Sequence, residues 1–187
     1  MEPHRGRERR GRAQNALGRM YQCGDGIPRN SGKAVKCFRE AAELGDMNGQ
    51  YNLARIYQRG TEVLRDSRKA AKWYRMAALQ GHDKAQYCLG VMYDKGIGVS
   101  RDPKEADKWK RMAAEQGEPR AQNHFGVRYA KGNGVGKNYR KAYMWLRLAS
   151  KAGNRQARKN ITRLLDKMNP EQVSDGNQLV QNWKPKA

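Results

Sequence analysis

The chain has 187 residues and a formal net charge of +21, with 39 Lys and Arg against 18 Asp and Glu. That length suits one domain, and a hydrophobic content of 37% is enough to build a core and too high for a disordered chain. No apolar run approaches the roughly 20 residues that a membrane span needs, and the basic excess favours acidic partners: nucleic acid, anionic surfaces or acidic proteins.

The first twelve residues, MEPHRGRERRGR, read as a flexible basic arm whose role would be electrostatic. They have the charge of a signal-peptide start, but no apolar stretch follows. The expected location is therefore cytoplasmic as written, or periplasmic if a leader has been removed.

From residue 13 the chain repeats itself. Four blocks of 36 residues, 13–48, 49–84, 85–120 and 121–156, align without a gap. In each block the second place is Gln (Gln14, Gln50, Gln86, Gln122). The fifth is Leu17, Leu53, Leu89 or Phe125, and the ninth is Tyr21, Tyr57, Tyr93 or Tyr129. A spacing of four puts the fifth and ninth places on one helical face. The sixth place is small (Gly18, Ala54, Gly90, Gly126), which predicts close approach by a neighbouring helix.

The first helix of each block should stop at Gly24, Gly60, Gly96 and Gly132, where glycine takes a left-handed conformation cheaply. A turn anchored by Ile27, Val63, Val99 or Val135 follows. Asn30, Asp66, Asp102 and Asn138 then cap the second helix. That helix buries Ala34, Ala70, Ala106 and Ala142, then Cys37, Trp73, Trp109 and Trp145, then Ala41, Ala77, Ala113 and Ala149, and ends at Gly45, Gly81, Gly117 and Gly153. Each block is thus a helix, a turn and a helix of about 11 and 13 residues, and the core forms when blocks stack. Residues 157–187 depart from the pattern and read as C-terminal capping helices, the last one starting at Asn169-Pro170-Glu171 and running toward Trp183.

Three cysteines, Cys23, Cys37 and Cys88, are irregularly spaced and odd in number, which argues against a disulfide framework. His4, His82 and His124 lie at unrelated places, without a second His or Cys at metal-ligand spacing. No cofactor, metal or catalytic residue is expected, and the chain is read as a non-enzyme.

The pattern A-x-x-x-L-G-x-x-Y-x-x-G-x-G-V, then D-x-x-K-A, then W-x-x-x-A-A-x-x-G, resembles the Sel1-like repeat family, a relative of tetratricopeptide repeats. The third block carries it most fully, through Ala85, Leu89, Gly90, Tyr93, Gly96, Gly98, Val99, Asp102, Ala106, Trp109, Ala113, Ala114 and Gly117. The second departs in its turn, where Gly-x-Gly becomes Gly60-Thr61-Glu62, and the first has Cys37 in place of Trp. The resemblance implies an all-α fold, a right-handed α/α solenoid of four repeats plus the capping helices, and work as a bacterial adaptor or an immunity protein for a secreted toxin. Ala42, Ala78, Ala114 and Ser150 stand where the cysteine-rich members of the family carry Cys.

By analogy with tetratricopeptide solenoids, the first helix of each block should line the concave face. The binding residues are then Asn15, Arg19, Tyr51, Arg55, Arg59, Lys84, Tyr87, Lys95, Arg120, Asn123 and Lys131, with Asp94 as the one acid among them. Tyr and Arg are frequent binding hot spots, and a face of this charge suits an acidic protein or peptide, held by a chain that is otherwise a monomer. Nucleic acid is the alternative partner on charge alone, without a recognised motif to read it.

Overall fold

The computed structural model describes residues 2–186, with side chains from residue 5. Among these residues there are ten α-helices and no strand. The helices are α1 (Glu2–Cys23), α2 (Ser31–Glu43), α3 (Met47–Arg59), α4 (Ser67–Leu79), α5 (Asp83–Lys95), α6 (Pro103–Gln116), α7 (Pro119–Lys131), α8 (Tyr139–Lys151), α9 (Arg155–Leu165) and α10 (Pro170–Asn182). They form two compact units that divide between Asp107 and Lys108.

The helix pairs follow from local chemistry. Asn30, Asp66 and Asn138 each accept the backbone N–H three residues on at 2.9 Å, so α2, α4 and α8 start where their caps predict. Asp102 does the same for α6 through the N–H groups of Lys104 and Glu105. At the other ends, Gly60, Gly96 and Gly132 turn left-handed, with φ between 66° and 78°, and stop α3, α5 and α7. The first helices of repeats two to four are 13 residues long rather than 11. Their caps lie earlier in the sequence, at Asp46, His82 and Glu118, and each accepts the N–H three residues on.

The segment expected as a basic arm begins the first helix. α1 runs unbroken from Glu2 to Cys23, so residues 2–12 are helical and continuous with the first repeat. Arginine is a good helix former. The helix is held near Gly11, where a Cβ would lie 3.2 Å from that of Asp46 and 3.4 Å from that of Leu44. Arg7 also donates from Nη2 to the Glu43 carbonyl at 3.4 Å.

In the first unit, Ala34, Val35, Phe38, Ala42, Leu53 and Ile56 form one buried cluster, with Tyr21, Tyr57, Val63 and Trp73 packed against it. Each large apolar side chain buried there contributes about 1.5–3 kcal/mol. The small sixth residue makes room: a Cβ on Gly18 would lie 2.8 Å from the Phe38 ring. Leu17 is 36% exposed while its counterparts Leu53 and Leu89 are buried. In the second unit the same logic joins α7, α8 and α9 through Ala142, Tyr143, Leu146, Ala149, Ala157, Ile161 and Leu164. Here α10, opened by an Asn169–Gln172 capping box, lays Gly176 against Tyr143.

The recurrent Gln has a structural task that its position alone did not reveal. Gln50, Gln86 and Gln122 are all but fully buried. Each donates its side-chain N–H to the carbonyl eight residues back, on Ala42, Ala78 and Ala114, at 3.2–3.4 Å. Those carbonyls lie in the last turn of a second helix, where each also accepts the backbone N–H of Gly45, Gly81 or Gly117 at 3.1 Å. The glutamine bond therefore ties the first helix of a repeat to the end of the repeat before it.

Candidate functional site

In the first unit, α1, α3 and α5 carry most of the expected binding residues. Arg19, Arg59, Lys84 and Lys95 are exposed there, and Arg55 and Tyr87 are half-buried. Arg55 lies over the Tyr51 ring at 5.6 Å. Tyr51 in turn stacks on His82, with ring centroids 4.5 Å apart, and meets Tyr74 at 5.9 Å. Tyr74 is fully buried and donates its hydroxyl proton to Gln58 at 2.7 Å, and burial pushes its pKa up. Part of the Tyr51 ring is therefore spent on internal packing, against His82 and Tyr74 as well as under Arg55.

Asn15 accepts from Asn52 at 2.9 Å, which joins α1 to α3. In the second unit Asn123 accepts from Asn160 at 2.8 Å, joining α7 to α9 in the same way. Arg120 pairs at 2.6 Å with Glu118, whose side chain is 2% exposed. Lys131 is exposed at the end of α7. The two asparagines thus join neighbouring first helices, while the ion pair of Arg120 stays at the start of its own helix.

His82, read from the sequence as unplaced, is the cap of α5: its Nδ1 accepts from the Ala85 N–H at 3.4 Å. Burial lowers its pKa, which keeps the lone pair available for that role. His124 is half-buried and its pKa is lowered to about 4, first by burial and then by the charge of Lys110. The described residues contain no group of three or more side chains able to hold a metal ion. No helix among them is long and apolar enough to cross a membrane.

The sequence did not point to a further group of arginine neighbours. Arg29 joins Arg55 and Arg59 around a cavity between the first and second repeats, together with Glu62. The one signal for it was the irregular turn at Gly60-Thr61-Glu62.

Antiparallel helix pairs of fixed length, tied repeat to repeat and carrying charged side chains on their first helices, define a helical-repeat scaffold of the α/α solenoid class. The Sel1 repeat pattern matches residues 11–46, 48–82, 83–118 and 119–154. The chain belongs to the Sel1 repeat family, whose members mediate protein–protein interactions. It is similar to a Sel1 repeat protein from Oxalobacter formigenes, with 31% identity and a TM-score of 0.75 over 93% of this chain and 71% of that one. It is also similar to a protective antigen of uropathogenic Escherichia coli that displays the same fold, with 28% identity and a TM-score of 0.64 over 92% of this chain. It spans 45% of that antigen's length. An immunity protein of Pseudomonas aeruginosa shares the fold at 21% identity and a TM-score of 0.57, over 92% of this chain and 66% of that one. No curated protein sequence matches the chain significantly.

Proposed function

We propose that this chain is a non-catalytic scaffold that binds an acidic protein or peptide along the first helices of its repeats. The carrying observation is the exposure of Arg19, Arg59, Lys84 and Lys95 on those helices in the first unit, where Asp94 is the one acid among the expected binding positions. Arg55 and Tyr51, held in a fixed mutual geometry, add a pair of the type that anchors interfaces. A charge excess of this size speeds encounter with an acidic partner and discriminates against basic ones. The specific role we propose is that of a bacterial adaptor or an inhibitor-like immunity protein for a secreted toxin, a reading supported by the Sel1 repeats and by the fold shared with an immunity protein of Pseudomonas aeruginosa.

The test is a pull-down from the source organism with the wild-type chain and with Arg55, Arg59 and Lys95 all changed to Glu. The expected result is an acidic protein retained by the first bait and lost from the second. Retention by both overturns the reading. Capture of nucleic acid in place of protein, with a steep salt dependence, reassigns the same charge to a phosphate backbone.

A further inference from the structure

The turns inside the repeats are alike in three cases and different in one. Repeats one, three and four carry a second glycine in the turn, Gly26, Gly98 and Gly134, with φ between 68° and 71°. Repeat two has Glu62 there. Among the described residues only glycines have positive φ, so this turn follows another path.

In the third repeat the consequence is steric, whereas Gly134 meets only the Arg128 side chain and Gly26 only that of Met20. Gly98 seats its backbone on the first turn of α4, and a Cβ at Gly98 would lie 2.1 Å from the Ser67 carbonyl oxygen. One repeat earlier the corresponding pair is Glu62 and Ser31, and Glu62 brings the Cβ that such seating forbids. In that place Ser31, Thr61 and Glu62 line an open cavity of about 180 Å³. Val35, Phe38 and Ile56 give it an apolar floor, and Arg29, Arg55 and Arg59 outnumber the single carboxylate of Glu62. One repeat later Arg29 and Arg59 have cationic counterparts in Arg65 and Lys95, while Val91 takes the place of Arg55, so the third guanidinium is what this cavity adds.

We infer that this cavity is a binding pocket for an acidic side chain flanked by an apolar one on a partner peptide. A carboxylate matches the planar donor fork of a guanidinium, and an adjoining aliphatic or aromatic group covers the floor. The cavity is smaller than the roughly 300–1,000 Å³ typical of clefts that take a whole small molecule, which fits one or two side chains. The inference rests on the proposed acidic partner and adds a place and a second requirement, an apolar neighbour to the acid.

Two short fluorescent peptides of equal charge test it by anisotropy at low salt, one alternating Glu with Leu, the other Glu with Gly. The wild-type chain should favour the Leu peptide by about tenfold, the effect of one well-buried apolar side chain. Glu62→Gly removes an acid, so charge alone would tighten both peptides. It also gives the turn the glycine that seats its counterpart, so the Leu peptide should weaken to the level of the Gly peptide. Thr61→Trp fills the cavity without changing charge and should have the same effect, and far-UV circular dichroism shows whether each variant is folded. Equal wild-type affinity for the two peptides overturns the pocket and leaves the acidic-partner reading standing. So does Glu62→Gly tightening both with the preference intact. Binding of neither peptide by the wild-type chain overturns both the pocket and the reading it rests on.

Discussion

The turns of the second and third repeats join the same kinds of helix with the same number of residues, yet they meet their neighbours differently. Gly98 lies against the backbone of Ser67, while Glu62 stands where a cavity opens beside Ser31. One Cβ and one sign of φ separate the two. The regular turn spends its surface on stacking, and the irregular one keeps arginines and apolar groups available to something else.

The largest effect should come from giving the third turn the second turn's residue. Gly98→Glu forces a side chain into a left-handed position and against the Ser67 carbonyl, and should cost about 2–5 kcal/mol, read as a fall in the urea midpoint. The reciprocal Glu62→Gly should cost less than about 1 kcal/mol, from the added freedom of the unfolded chain. Similar losses at both positions would break the comparison.

A second contrast sets an interior repeat against the first. Gln86→Leu removes the side-chain donor of the Ala78 carbonyl, which keeps the Gly81 N–H at 3.1 Å, and should destabilise by about 0.5–1.5 kcal/mol. Gln14→Leu should cost clearly less, because Gln14 opens the first repeat and its Oε1 is buried without a hydrogen-bond partner. Denaturation midpoints of the two variants decide it.

Acid should blur both comparisons. Folded His124 resists protonation until about pH 4, whereas an unfolded histidine titrates near 6.5. Between those values the unfolded chain binds the proton first. The stability is fully present above about pH 6.5 and is lost as pH falls toward 4. Thermal melts across that window should show a decline that His124→Gln flattens, so the turn variants are best compared above pH 7. The smallest effect belongs to Leu64, in the second turn and 93% exposed. Leu64→Ser should stay within about 0.5 kcal/mol of wild type in the same melts.

Much of this architecture was legible in the sequence because the signals recur at fixed spacing. The Ala series of the second helices, the caps at Asn30, Asp66, Asp102 and Asn138 and the stopping glycines sit where the repeat puts them, whereas of the Trp series only Trp109 is buried, and Tyr74 and Leu146 take the core places expected for Trp73 and Trp145. The starts of the first helices were not legible, since Asp46, His82 and Glu118 share an acceptor atom and no residue type. The helical character of residues 2–12 was hidden because Gly11, which makes the contact, has no side chain to display periodicity. At the candidate site, analogy with tetratricopeptide solenoids supplied a list of positions but not their partners: the Asn15–Asn52 bond and the Tyr51–His82 stack both need a neighbouring repeat. The cavity depends on a turn failing to seat, and that is a property of two repeats together.

The glutamine bonds bear on how such a chain changes over generations. Each spans eight residues across the junction between consecutive repeats. A duplication or loss of one whole block, wherever its ends fall, recreates the same junction and the same bond. Length can therefore be inherited in steps of one repeat while every seam stays closed. A single odd turn, such as the one at Glu62, then travels through that process as a portable feature, carried to a new position along the scaffold without redesign of its neighbours.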